Sequence, residues 1–212
     1  MIFSNEILRY YIGRTKEESD IMCKNLKEII GKTPEEILKI AGQEDCVPVN
    51  IGAILKELHV SEIKMDFSEI EQQLASQVAE KGPISGMVLL SGDNVGIFYN
   101  EKDSLNKQRF TVAHELAHCC LNGEELVDNH IEFRHEIVSE DEREIAANTY
   151  AGQLLIPEKS LKRVYGQLTI PVVDSLAKIF QVSKAVMKAR LNLLHMDYFD
   201  TELNRMVILG ED

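Results

Sequence analysis

The sequence predicts an α+β fold, mostly helical with a small antiparallel sheet, closing on a helix-turn-helix-like segment. Three features carry that expectation. A succession of capped helical patterns fills much of the first half, "GMVLLSGDNVGIFYN" sets two β-rich runs around a turn signal, and "IPVVDSLAKIFQVSKAVMKARLNLL" reads as helix, tight turn, helix. At 212 residues and 44% hydrophobic content, the chain suffices for one well-cored domain, or a main domain with a small appendage.

Residues 1–45 are expected to form a helical N-terminal extension. In "TKEESDIMCKNLKEIIGK", Thr15 and Glu18 make a capping box and Gly31 a stop. In "TPEEILKIAG", Thr33 is the N-cap and Pro34 the first helical residue, Glu35 and Glu36 sit on the positive end of the helix dipole, and Gly42 ends the helix. "PVNIGAILKELHV" continues as a helix and "EIKMDF" as a strand, and Ser68 with Glu71 forms the capping pair of the next helix. The hairpin follows.

Composition narrows the function classes. No signal-peptide pattern and no run of about 18 apolar residues is present, so the expectation is a soluble, non-exported protein without a membrane span. The four cysteines, Cys23, Cys46, Cys119 and Cys120, form no CxxC pair, which suits reduced thiols in the cytoplasm. A net charge of −12 disfavours an all-over phosphate-binding surface. The charge is uneven, however: from Glu158 to Asn192 seven basic residues stand against two acidic ones, so this stretch carries +5 and the remainder −17.

Chemistry concentrates in "FTVAHELAHCCLN". A helix rises about 1.5 Å per residue with about 3.6 residues per turn, so His114 and His118 share one face and can converge on a single point. His114-Glu115-Leu116-Ala117-His118 has the HExxH spacing, in which two imidazoles hold a metal and Glu115 reaches the activated water as general base. Leu116, Ala117 and Leu121 give the helix an apolar side, and Asn122-Gly123 is a stop.

Catalytic zinc sites usually take three protein ligands. Leu121 and Glu124 occupy the positions at which the longer motif would place Gly and His, so the third ligand lies further on. His130 and His135 are alternatives, in a stretch without helical pattern. The favoured candidate lies in "SEDEREIAANTYAGQLLIP". There Ser139 and Glu142 read as a capping box, with Glu140 and Asp141 in the first turn and Glu144 in the second. Ala147, Asn148, Ala151 and Leu155 follow Glu144 on a mostly small face, which lets this helix approach the small Ala113 and Ala117 of the other. Asn148, one turn below Glu144, is placed to hydrogen-bond a ligating imidazole from behind, or simply to pack between helices.

"RFTVAHELAH", followed by the stretch from Glu144 to Pro157, resembles the ImmA/IrrE-type metallopeptidases. The resemblance implies a zincin-like peptidase core over residues 46–160, with His114, His118 and Glu144 as metal ligands and Glu115 as catalytic base. Tyr150 stands where the family usually has Phe, and Cys119 and Cys120 where leucines are common. The implied cofactor is one divalent ion, zinc first, with manganese or iron suited to the same donors. The implied substrate is a protein, a helix-turn-helix transcriptional repressor whose cleavage relieves repression. The alternative is a non-proteolytic regulatory or DNA-binding protein whose metal site is structural or degenerate.

Residues 161–212 form the helix-turn-helix-like segment and tail. Val173, Leu176, Ala177 and Phe180 make one apolar face, Ser183 caps the second helix, and Val186, Ala189 and Leu193 are its expected inner face. Gln181 falls near the position where such turns often carry Gly. Lys184, Lys188 and Arg190 are open to three readings: phosphate contacts, the solvated side of a packing element, or a dock for an acidic partner.

Overall fold

The computed structural model describes residues 26–91, 94–123, 131–135 and 141–209. Thr15, Glu18, Cys23, His130 and Ser139 lie outside the described residues.

Local sequence signals set the first helices. Helix α1 (Leu26–Ile29) ends at Gly31, whose φ of +74° is the left-handed conformation a side chain would resist. Helix α2 (Pro34–Ile40) begins with a full capping box: Thr33 Oγ1 accepts from Glu36 N–H, and Glu36 Oε2 accepts from Thr33 N–H at 2.8 Å. Helix α3 (Ile51–Glu57) is capped by Asn50, whose side chain accepts from Ala53 N–H.

Strand β1 (Ser61–Met65) leads into helices α4 (Ser68–Gln73) and α5 (Ala75–Lys81), then the hairpin of β2 (Ile84–Ser91) and β3 (Asn94–Asn100). A further strand, β4 (Ile131–His135), occupies the stretch where no element was expected. The sheet order is β1-β3-β2-β4; β2 runs antiparallel to β3 and β4, whereas β1 runs parallel to β3. The expected antiparallel sheet is therefore mixed. The crossover through α4 and α5 delivers the chain to β2 with one strand's width left open beside β1, and β3 fills it.

Ser68 and Glu71 do not cap α4. Asp66 Oδ1 accepts from both the backbone N–H and the hydroxyl of Ser68, and Glu71 Oε1 instead accepts from Ile84 N–H, tying the helix to β2. An Asx turn one step upstream has displaced the capping box.

Helix α6 (Leu105–Asn122) lies against β2 and β3, and every residue from Thr111 to Cys120 is buried. Helix α7 (Glu142–Leu155) packs along it. The N-cap of α7 is Asp141, whose side chain accepts from Arg143 N–H, so Glu142 is the first helical residue and Glu144 falls in the first turn, not the second. Helix α8 (Glu158–Tyr165) follows, then α9 (Val173–Phe180), α10 (Lys184–Leu193) and a terminal hairpin of β5 (Tyr198–Asp200) and β6 (Arg205–Val207).

The α9–α10 unit has the expected turn. Gln181 takes the left-handed conformation at φ +54°, Ser183 caps α10, and Val173, Leu176, Ala177 and Phe180 are buried. The inner face of α10 differs from expectation: Met187, Arg190 and Leu191 are buried, while Ala189 and Leu193 are exposed. Arg190 can turn inward because its Nε donates to the backbone oxygen of Ile156 at 3.0 Å. Lys184 and Lys188 are engaged by Asp174, Asp200 and Glu202 at 2.6 to 3.4 Å.

One main apolar cluster runs from Ile29 in α1 to Tyr198 in β5 and includes residues of α2, α6, α7 and α9. A smaller one, built on Phe67, Met87 and Phe98, fills the space between α4 and the sheet. Among the described residues no helix is long and apolar enough to cross a membrane.

Candidate metal centre

The α6–α7 pair brings three sequence-predicted residues to one point. Small Ala113 and Ala117 on α6 and Ala147 and Ala151 on α7, all buried, allow the close approach. His114 Nε2 lies 2.9 Å from His118 Nε2 and 3.2 Å from Glu144 Oε2, and His118 Nε2 lies 3.1 Å from Glu144 Oε1. These donor atoms all fall within 4.8 Å of one another. Ligands about 2.0–2.1 Å from a tetrahedral ion stand about 3.3 Å apart, so the trio is spaced to receive one after slight opening. Two imidazoles and a carboxylate also match the chemistry of a divalent-metal site.

Asn148 Oδ1 lies 2.9 Å from His114 Nδ1, placed to accept that N–H; with an ion bound, this would leave the Nε2 lone pair for the metal. The Phe110 ring packs on the same imidazole at a centroid distance of 6.4 Å. His114, Glu115 and His118 are all buried, whereas the Glu144 side chain keeps 26% of its surface exposed. Hydrogen bonds from His114, then from His118, hold the Glu144 carboxyl well below the usual carboxylate range against the opposing effect of burial.

Glu115 lies on the sheet side of α6. A Cβ placed on Gly86 of β2 would come within 2.4 Å of Thr111 Cγ2, 2.9 Å of the Phe98 carbonyl oxygen and 3.5 Å of Glu115 Oε1. The missing side chain at Gly86 thus sets how closely the sheet approaches the Glu115 carboxylate. Sequence reasoning passed over Gly86; its one signal was a glycine inside a β-rich run.

The "RFT" lead has a structural explanation. Arg109 Nη2 donates to the Val49 carbonyl and Nε to the Gln181 carbonyl, Phe110 packs on His114, and Thr111 meets Gly86. Of the alternative third ligands, His130 lies outside the described residues and His135 ends β4.

A buried HExxH helix, with a carboxylate from a second helix closing on its imidazoles, is a candidate metal centre of the metallopeptidase type. The family model of the IrrE N-terminal-like domain, a peptidase domain, matches residues 79–192, from α5 through α10. The chain belongs to this family. No curated protein matches it.

Proposed function

We propose that this protein is a metal-dependent endopeptidase of narrow specificity that acts in the cytoplasm and cuts a helix-turn-helix transcriptional repressor, relieving repression. The observation that carries the reading is the convergence of His114, His118 and Glu144 with Glu115 beside them in the same buried helix. These three residues would hold the ion, zinc by preference, with manganese or iron using the same donors.

When bound, the ion would supply Lewis-acid polarisation of the scissile carbonyl and a more acidic water. Glu115 takes the proton from the attacking water and passes it to the leaving amine. Asn148 keeps the His114 ring oriented throughout. Both hairpin strands are internal to the sheet, so the substrate is held elsewhere. Among the described residues the sheet has two edges, β1 and β4; β4 pairs with β2 across Gly86, beside Glu115, and is the edge where an extended segment adds as a further strand.

The deciding experiment compares wild type with Glu115→Gln and Glu144→Ala in cells, by mass spectrometry of new protein termini and by metal content of the purified chains. Wild type should hold about one metal per chain and generate termini in one or a few repressors. Glu115→Gln should keep the metal and lose at least about a hundredfold in cleavage, and Glu144→Ala should lose most of the metal. Absence of Glu115-dependent termini would overturn the peptidase reading, and termini confined to other proteins would overturn the repressor alone.

A further inference from the structure

Helices α7 and α10 enclose a groove of about 460 Å³ on the outward side of the metal centre. Ile145, Thr149 and Gly152 line it from α7, and Val186, Ala189 and Leu193 from α10. These α10 residues are the ones the sequence pattern assigned to an inner face. Ile145 and Leu193 are 53% and 50% exposed and line the same groove, so two large apolar side chains face solvent together there.

Three observations assign the groove. It is continuous with the catalytic centre: Phe110 and Asn148 also line it, and both contact the His114 imidazole. Its far wall is held in place, since Asn106 donates to the Val182 carbonyl, Arg109 to that of Gln181 and Arg190 to that of Ile156. Finally, the charges of α10 are engaged: Lys184 and Lys188 pair with Asp174, Asp200 and Glu202. Arg190, the one charged lining residue, is 5% exposed with its Nε on the Ile156 carbonyl, so the groove presents a mostly apolar surface rather than a field for phosphates.

Resting on the peptidase reading, we propose that this groove is a docking exosite, which holds an uncharged, apolar segment of the protein substrate while the scissile segment lies at the metal. Its volume suits two or three large apolar side chains rather than one. The second helix of the helix-turn-helix-like unit is then a recognition wall for protein. Narrow specificity follows, because cleavage requires a matching apolar segment as well as an accessible peptide bond.

The test needs no known substrate and no cleavage. Full-length Glu115→Gln is used to select from a displayed random-peptide library, and the affinities of the selected peptides are measured against the same chain carrying Gly152→Leu or Ala189→Arg. A Cβ on Gly152 meets nothing within 4 Å, so leucine there fills the groove without displacing backbone. Ala189 is exposed, so its substitution leaves the core intact if the Gly152 variant fails to fold. The expected result is a set of apolar-rich peptides that lose about tenfold or more in affinity with either variant, at unchanged circular dichroism. A library that yields no binders, or binders indifferent to both variants, overturns the exosite. So does a dimer that Ala189→Arg dissociates, which would assign the groove to a second copy of the chain. If peptides bind as expected but no Glu115-dependent cleavage is found in cells, the groove stands as a binding site and the peptidase reading alone fails.

Discussion

Glu144 stands at the junction of two effects that can be separated by pH. Its carboxyl is held below the ordinary value of 4.5 by hydrogen bonds from His114 and His118. A folded-state pKa below the unfolded one contributes stability that is fully present above the unfolded value and is lost as pH falls through the folded one. In the metal-free protein, the stability advantage of wild type over Glu144→Gln should be complete at pH 7. It should shrink progressively below about pH 4.5, as measured by denaturant midpoints across a pH series. Cys120 is the contrasting case: burial pushes its thiol up to about 11, so it stays protonated and behaves as a small apolar side chain. At this scale the sequence was most legible where spacing alone dictates chemistry. His114, Glu115 and His118 follow from one motif, and Asn148 and Glu144 from helical periodicity. What escaped were residues whose effect lies in backbone contact, such as Arg109 and Gly86, because a carbonyl partner or an absent Cβ leaves little trace in composition.

At the scale of elements, the approach of β2 to α6 is set by a single missing methyl group. Gly86→Ala should destabilise the protein by about 1–3 kcal/mol, because its Cβ would overlap Thr111 and the Phe98 carbonyl. It should also lower activity at unchanged metal content, since the shift falls beside Glu115. Thermal unfolding and metal analysis on the same sample check both. Arg109→Met should cost about 2 kcal/mol, through two backbone carbonyls that lose a charged donor, as read from urea unfolding. Element starts were readable where a cap has no competitor, as at Thr33, Asn50 and Ser183. They were misread where an aspartate nearby intervenes: Asp141 caps α7 itself, and Asp66 draws the Ser68 N–H and hydroxyl into an Asx turn ahead of α4. Strand β4 was missed because its alternation, Ile131-Glu132-Phe133-Arg134, runs over a single short stretch with only two apolar residues, too brief to stand out from a loop. The buried face of α10 was misassigned because Arg190 carries a charge that ordinarily faces water, and only its tertiary partner at Ile156 permits burial.

Across the whole molecule, the first described segment is tied to the two helices of the centre rather than hanging from them. Tyr150, on the helix that carries Glu144, donates its hydroxyl to the Lys32 carbonyl at 2.8 Å, and Gly31 N–H donates to the Cys120 carbonyl at 2.7 Å. Tyr150→Phe should therefore lower stability by about 1 kcal/mol, by stranding a carbonyl between α1 and α2, and calorimetry of the two proteins would measure it. Ile29, Ile37 and Leu38 share a core with Phe180 and Leu191, so we expect a single cooperative unfolding transition. The Arg190 contact gives that unity a mechanical side. Because α10 holds Ile156, just past the end of the helix that carries Glu144, α10 serves as a buttress, and any partner that levers it aside loads that helix, and through it the proposed third ligand.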